Sequence, residues 1–186
     1  MDTFRWMSVV ISIILGLGVT RLLLGAVAVF KARHDRAIDG LPLAWAAAIF
    51  LQQVNFWWSL EDAGAGTSWT LPSFLLLVGL VLALFLAAAL ILPVDPLAPE
   101  DSLRRYFERD GRWSLLGLAA FNVLAMVANW DLWHEGLLAE SVSLNLVLAI
   151  IPVAGFLGVR RVQIAAAAAY IVVLAWAIAR LSPIAY

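Results

Sequence analysis

The sequence predicts an all-α integral membrane protein of six transmembrane helices, and three observations carry that prediction. Hydrophobic residues make up 64% of the chain against 13% charged, with a mean hydropathy of +0.95, far from the balance of a soluble domain. The apolar residues fall in stretches of about 20, the length that crosses a hydrocarbon core of ~30 Å at ~1.5 Å per residue. Lysine and arginine collect in alternate links between those stretches.

The first stretch covers residues 7–30 and closes at Lys31, Arg33, His34 and Arg36. Asp39, Gly40 and Pro42 open the second, 41–60, which ends in an acidic, glycine-rich turn beginning at Glu61 and Asp62. The third, 69–92, accepts Pro72 in its first turn, where a helix needs no N–H, and stops at Pro93. The fourth is 113–130 and the fifth 142–159, in which Pro152 is expected to kink the helix. Arg160 and Arg161 form a tight link to the sixth, 162–181. All six belong to a single domain over 1–186.

Charge orients the bundle. The links after stretches one, three and five hold nine Lys and Arg residues, and those after two and four hold none. Positive charge stays on the cytoplasmic side, so both termini are expected outside (N-out, C-out). The N-terminus does not read as a cleavable signal peptide, because its apolar run is too long and its positive charges mainly follow it. One lysine against eleven arginines, with abundant Ala and Leu, fits a GC-rich bacterial genome and hence a bacterial cytoplasmic (inner) membrane.

The link 93–112 has structure of its own. Leu103, Tyr106 and Phe107 share one face at i, i+3 and i+4, and Asp101/Arg105, Arg104/Glu108 and Glu108/Arg112 stand at i, i+4 with opposite charge. A short amphipathic helix lying in the interface is expected there, packed on the bundle as a connector.

The residue that most constrains function is Arg21, in the run Gly16-Leu-Gly18-Val-Thr20-Arg21-Leu-Leu. Arginine does not lose its proton, and centring it in a bilayer costs at least ~2.5–3.5 kcal/mol. It stands ten residues before Lys31, ~15 Å from that end, so a polar partner near the midplane is expected. No carboxylate falls inside a stretch, but amides do. Gln52 is eleven residues in from Leu41, and Asn122 nine from Trp113, so both lie ~14–17 Å deep. Gln52, Asn55, Ser59 and Asp62 form one stripe running outward from the second stretch, and Asn122 and Asn129 another on the fourth.

These residues predict an outward-facing polar pocket floored by Arg21 that binds or passes a small polar or anionic solute. Its site is Arg21, Gln52, Asn55, Asn122 and Asn129, with Trp57 and Trp130 at the mouth. The tryptophans Trp6, Trp57, Trp58, Trp69, Trp130, Trp133 and Trp176 are expected near the outer boundary, as an interfacial belt or as aromatic faces that gather cations. The alternative is a non-transporting accessory or scaffold subunit of a membrane complex, in which Arg21, Gln52 and Asn122 are interhelical glue. Besides lipids and the solute, a second copy of the chain is a candidate partner. The alanines 165–169 are a close-approach surface, either within the bundle or in a homo-oligomer. Gly79, Ala83 and Ala87, and Ala154, Gly155 and Gly158, are expected ridges of close helix packing.

Several chemistries lack their residues. There is no cysteine, hence no thiolate or iron–sulfur chemistry. His34 and His134 fall on opposite sides of the membrane, and no H-E-x-x-H, Gly-rich phosphate loop after a strand or G-x-S-x-G elbow is present. No catalytic activity, cofactor or metal is expected, and a net charge of -1 gives no reason to expect nucleic acid.

Gly-Leu-Gly-Val-Thr-Arg21-Leu-Leu, Gln53-Val-Asn-Phe-Trp-Trp58, Trp69-Thr70, and Tyr106-Phe107 through Arg112-Trp113 occur in that order. In this the chain resembles a family of small bacterial multi-pass membrane proteins over roughly residues 10–115. The resemblance implies a membrane fold and no particular activity.

Overall fold

A computed structural model describes residues 3–34, 38–63, 70–95, 101–132 and 139–181, and among them every regular element is helical. The helices are α1 (Thr3–Lys31), α2 (Gly40–Ala63), α3 (Leu71–Ile91), the short α4 (Leu103–Tyr106), α5 (Trp113–Leu132), α6 (Glu140–Leu157) and α7 (Arg160–Leu181). Five are long and apolar enough to cross a membrane: Trp6–Lys31, Leu71–Ile91, Trp113–Asp131, Glu140–Leu157 and Arg160–Arg180. This is the architecture of a helical membrane protein. α2 differs in composition alone. Its 24 residues reach ~36 Å, but Gln52, Gln53, Asn55 and Ser59 lower its hydropathy.

Short links make successive long helices antiparallel, so the bundle has two chemically distinct ends. Lys31, Arg33, Arg104, Arg105, Arg109, Arg112, Arg160 and Arg161 mark the basic end. Exposed Trp6, Trp57, Trp58, Trp130 and Trp176 mark the aromatic end. Trp69, Trp133, His134 and the acidic turn from 64 onward lie outside the described residues.

Five helices close into a ring, each packed on the next in the order α3, α5, α6, α7, α2 and back to α3. α1 leans on α3 and α2 from outside that ring. Small residues allow the tightest contacts. A Cβ at Gly117 of α5 would stand 3.2 Å from the Ala83 carbonyl and 3.1 Å from the Ala87 nitrogen of α3. Gly155 of α6 lies under Trp45, Leu115 and Ala166, while Ala154 faces outward. Ala166 and Ala167 are buried in the bundle, and Ala165, Ala168 and Ala169 are exposed.

Helix ends follow their sequence signals. The Thr70 hydroxyl accepts from Ser73 N (3.3 Å) and caps α3, with Pro72 in the first turn. Asp39 Oδ1 accepts from Leu41 N (3.0 Å) at the start of α2 and also pairs with Arg160, tying α2 to α7 at the basic end. α6 runs through Pro152 without ending there.

The 93–112 link departs from a regular helix. Ser102 caps α4 (Arg105 N to Ser102 Oγ, 3.2 Å), and the chain then widens into a π-turn over Phe107–Gly111, with Arg112 N donating to Phe107 O (2.8 Å). Leu103 and Phe107 are buried, and Tyr106 Oη donates to Leu90 O of α3 (3.0 Å). Arg104 Nε meets Glu108 (2.8 Å), and Arg105 approaches Asp101 (3.7 Å). The expected Glu108/Arg112 pair is absent, because a wider turn rotates i+4 off the shared face. Arg112 lies instead over the Phe156 ring, 5.3 Å from its centroid.

The close α3–α5 seam yields a stability prediction. Gly117→Leu forces a side chain into the α3 backbone and should lower stability by ~1–3 kcal/mol or more, as overpacking does. Gly16 has nothing within 4 Å of its Cβ position, so Gly16→Leu should stay within ~0.5 kcal/mol of the parent. Thermal unfolding in detergent compares the two directly.

Candidate functional site

The centre of the ring is held by a polar rung. The depth count that places Gln52 and Asn122 near the middle of their helices also applies to Tyr170, ten residues beyond Arg160, ~15 Å in. The structure joins all three. Tyr170 Oη donates to Gln52 Oε1 (3.0 Å) and accepts from Asn122 Nδ2 (3.2 Å), which also donates to Leu118 O (2.8 Å). The rung therefore ties α2, α7 and α5 together, with each of its side chains buried. Toward the basic end it rests on Trp45, whose ring lies 5.6 Å from that of Tyr170 at 52°.

Toward the aromatic end the ring opens into a cavity of about 320 Å³, at the small end of the range for small-molecule pockets. Gln52 is its deepest polar group, followed outward by Asn55 and Ser59 of α2, Asn129 of α5, and Ser141 and Asn145 of α6. Phe56, Phe121, Leu80, Leu148 and Leu174 supply apolar wall. Phe56 and Phe121 meet edge to face with centroids 5.5 Å apart, which fixes their orientation. Among the described residues the lining contains amides and hydroxyls and no Asp, Glu, Lys, Arg or His. These side chains offer directed hydrogen bonds and no charge.

The predicted site residues other than Arg21 divide into three groups. Gln52, Asn55 and Asn129 line the cavity. Asn122 lies one layer below, reaching Gln52 through Tyr170. Trp57 and Trp130 do not line it; each is 59% exposed on the outside of the bundle, a placement suited to an interfacial belt. Among the described tryptophans, Trp58 alone lines the cavity.

Arg21 is elsewhere. It sits on α1, outside the ring, and makes no hydrogen bond to Gln52 or Asn122, whose own bonds go to Tyr170 and Leu118. The depth count from Lys31 fails because α1 overruns α3 at the basic end. Gly25 abuts Leu92 and the Pro93 carbonyl, so the residues after it lie beyond the end of α3. Arg21 is thus about one turn, ~6 Å, from that level rather than at midspan. On the same face, Gly18 lets α1 close on Gln53 of α2, a buried amide whose Oε1 and Nε2 have no partner among the described residues.

Sequence reasoning missed Tyr170, Ser141 and Asn145. The signal for Tyr170 was a midspan hydroxyl after an alanine run. For the other two it was an i, i+4 polar pair at the start of the fifth stretch. Among the described residues no group of three His, Asp or Glu could hold a metal. No family model, curated protein or solved structure matches this chain, so the site rests on its own geometry.

Proposed function

We propose that this chain is a six-span protein of a bacterial cytoplasmic membrane, with both termini outside, whose cavity binds a small uncharged polar solute. α2 supplies the sixth span. Its length suffices, and its amides turn into the ring and toward α1 rather than to lipid. The basic end is cytoplasmic by the positive-inside rule, so the cavity faces outward. The observation that carries the reading is a cavity walled, among the described residues, by six amide and hydroxyl side chains with no ionised group. Side chains of this kind inside a bilayer are expensive unless satisfied or wetted. Without a lining cation, the site favours an uncharged solute over the anion that Arg21 at the floor would have attracted.

Passage would need the rung to part, because Tyr170 and Trp45 fill the ring beneath the cavity. The rung also favours the second reading, an accessory or scaffold subunit, since it cross-links three helices by hydrogen bonds. The two readings separate at the cavity wall, which glue does not need.

Two outcomes check this. Single cysteines at Ala139 and Ser102 should label from opposite faces of intact cells, with Ala139 reached from outside; labelling of both from one face contradicts the orientation. In proteoliposomes, glycerol or urea should enter faster than in protein-free vesicles, or should raise the melting temperature of the purified protein. The variant Asn129→Leu/Asn145→Leu should lose that effect by roughly tenfold, two hydrogen bonds at ~0.5–1.5 kcal/mol each, while melting near the parent temperature. Neutral solutes without effect on either readout would leave the scaffold reading.

A further inference from the structure

Arg21 is a permanent cation on an apolar helix, and the cavity makes no use of it. Among the described residues it has no carboxylate partner and donates no hydrogen bond. The arginine ion pairs are those of Arg104, Arg105, Arg109, Arg160 and Arg180. In the nearby link Asp101 is engaged by Arg105 and Arg109, Glu108 by Arg104, and Asp110 by Arg109 at 2.8 Å, and Asp95 makes no ion pair with Arg21. α1 is flanked by exposed Leu17, Leu23 and Leu24, so this side of the protein meets lipid.

Position and reach decide what meets the guanidinium. Arg21 lies one turn from the level at which Gly25 touches Leu92 and Pro93, where α3 ends. An arginine stem spans such a distance by snorkelling, bringing its charged head to the border between acyl chains and headgroups. Tyr106 stands at the same corner, its hydroxyl on Leu90 O. Burial, then Asp110, raise the Tyr106 pKa, while Arg21 and Arg109 both act to lower it. Of those two guanidiniums, that of Arg109 is already taken by Asp101 and Asp110, and that of Arg21 is not. A guanidinium without a carboxylate, in a lipid-facing corner at the basic end, is an acceptor for phosphate.

We propose that Arg21 holds the phosphate of an anionic phospholipid from the leaflet at the basic end. The inference is independent of the cavity reading. It explains why a charge without a protein partner is tolerated here: its counter-ion belongs to the membrane. Basic clusters between helices on the cytoplasmic side bind acidic headgroups by the same physics.

The test uses the full chain in a neutral detergent, with native mass spectrometry of lipid adducts from an equal mixture of phosphatidylglycerol and phosphatidylcholine. The parent should carry phosphatidylglycerol in at least about fivefold excess, the preference one arginine near a headgroup supplies. Arg21→Gln should bring the two lipids to parity. Arg21→Lys, which keeps the charge but loses the fork, should retain part of the excess; this variant decides the matter if Arg21→Gln does not fold. Arg104→Gln, at an exposed residue paired with Glu108, should change nothing. The proposal is overturned if Arg21→Gln, or in its absence Arg21→Lys, keeps the full parental excess. It is equally overturned if Arg104→Gln abolishes the excess, since attraction is then diffuse. Displacement of the lipid by millimolar glycerol phosphate would assign the site to soluble phosphate and overturn the lipid.

Discussion

The structure depends on the hydrogen-bonded rung Gln52–Tyr170–Asn122. Inside a bilayer, water is not at hand to satisfy an amide, so three polar side chains at one depth must find one another. The phenol makes this possible by both donating and accepting. It gives its proton to Gln52 and takes one from Asn122, and so closes α2, α7 and α5 around a common point. Beneath it Trp45 and the small residues of α6 and α7 pack the ring solid. Above it lies the cavity, where amides and hydroxyls of α2, α5 and α6 stand among Leu80, Leu148 and Leu174.

The helices divide the work. The ring carries the polar interior, whereas α1 adds an apolar flank with one charge at its edge. At the basic end the ring is fastened by groups that do not enter the membrane. Asp39 caps α2 and pairs with Arg160, and Arg112 lies over Phe156. Tyr106 pins the link to the last turn of α3, and burial raises its pKa, so the phenol keeps its donor proton at neutral pH. These contacts fix the basic end, while at the aromatic end, where the cavity opens, the ion pair among the described residues is the exposed Glu140–Arg180 at 3.4 Å. Such a pair adds little rigidity.

Helical content and element boundaries were legible because length and hydropathy are local properties of the sequence. The caps at Asp39 and Thr70 and the proline in the first turn of α3 belong to the same class. The π-turn was not legible, since pairing Glu108 with Arg112 presumed a regular 3.6-residue period. Half the rung was visible from depth arithmetic on Gln52 and Asn122. Tyr170 was overlooked because aromatic residues were counted as wall or belt, though the same arithmetic places its hydroxyl at the same depth. Arg21 was put too deep because a helix may extend past its neighbours, and only the contact of Gly25 with Leu92 reveals the offset. Ser141 and Asn145 complete the cavity from α6; their i, i+4 spacing marked a polar face there, but it does not say which way that face turns.

A double-mutant cycle between Gln52 and Tyr170 tests the central role of the rung most directly. Gln52→Leu, Tyr170→Phe and the double variant are compared by unfolding free energy in the same detergent. If the two side chains share a hydrogen bond that holds the ring, their coupling should fall at ~0.6–1.7 kcal/mol, the range for interhelical bonds in membranes. Costs that add within ~0.3 kcal/mol would mean that the two do not interact, and would contradict this account.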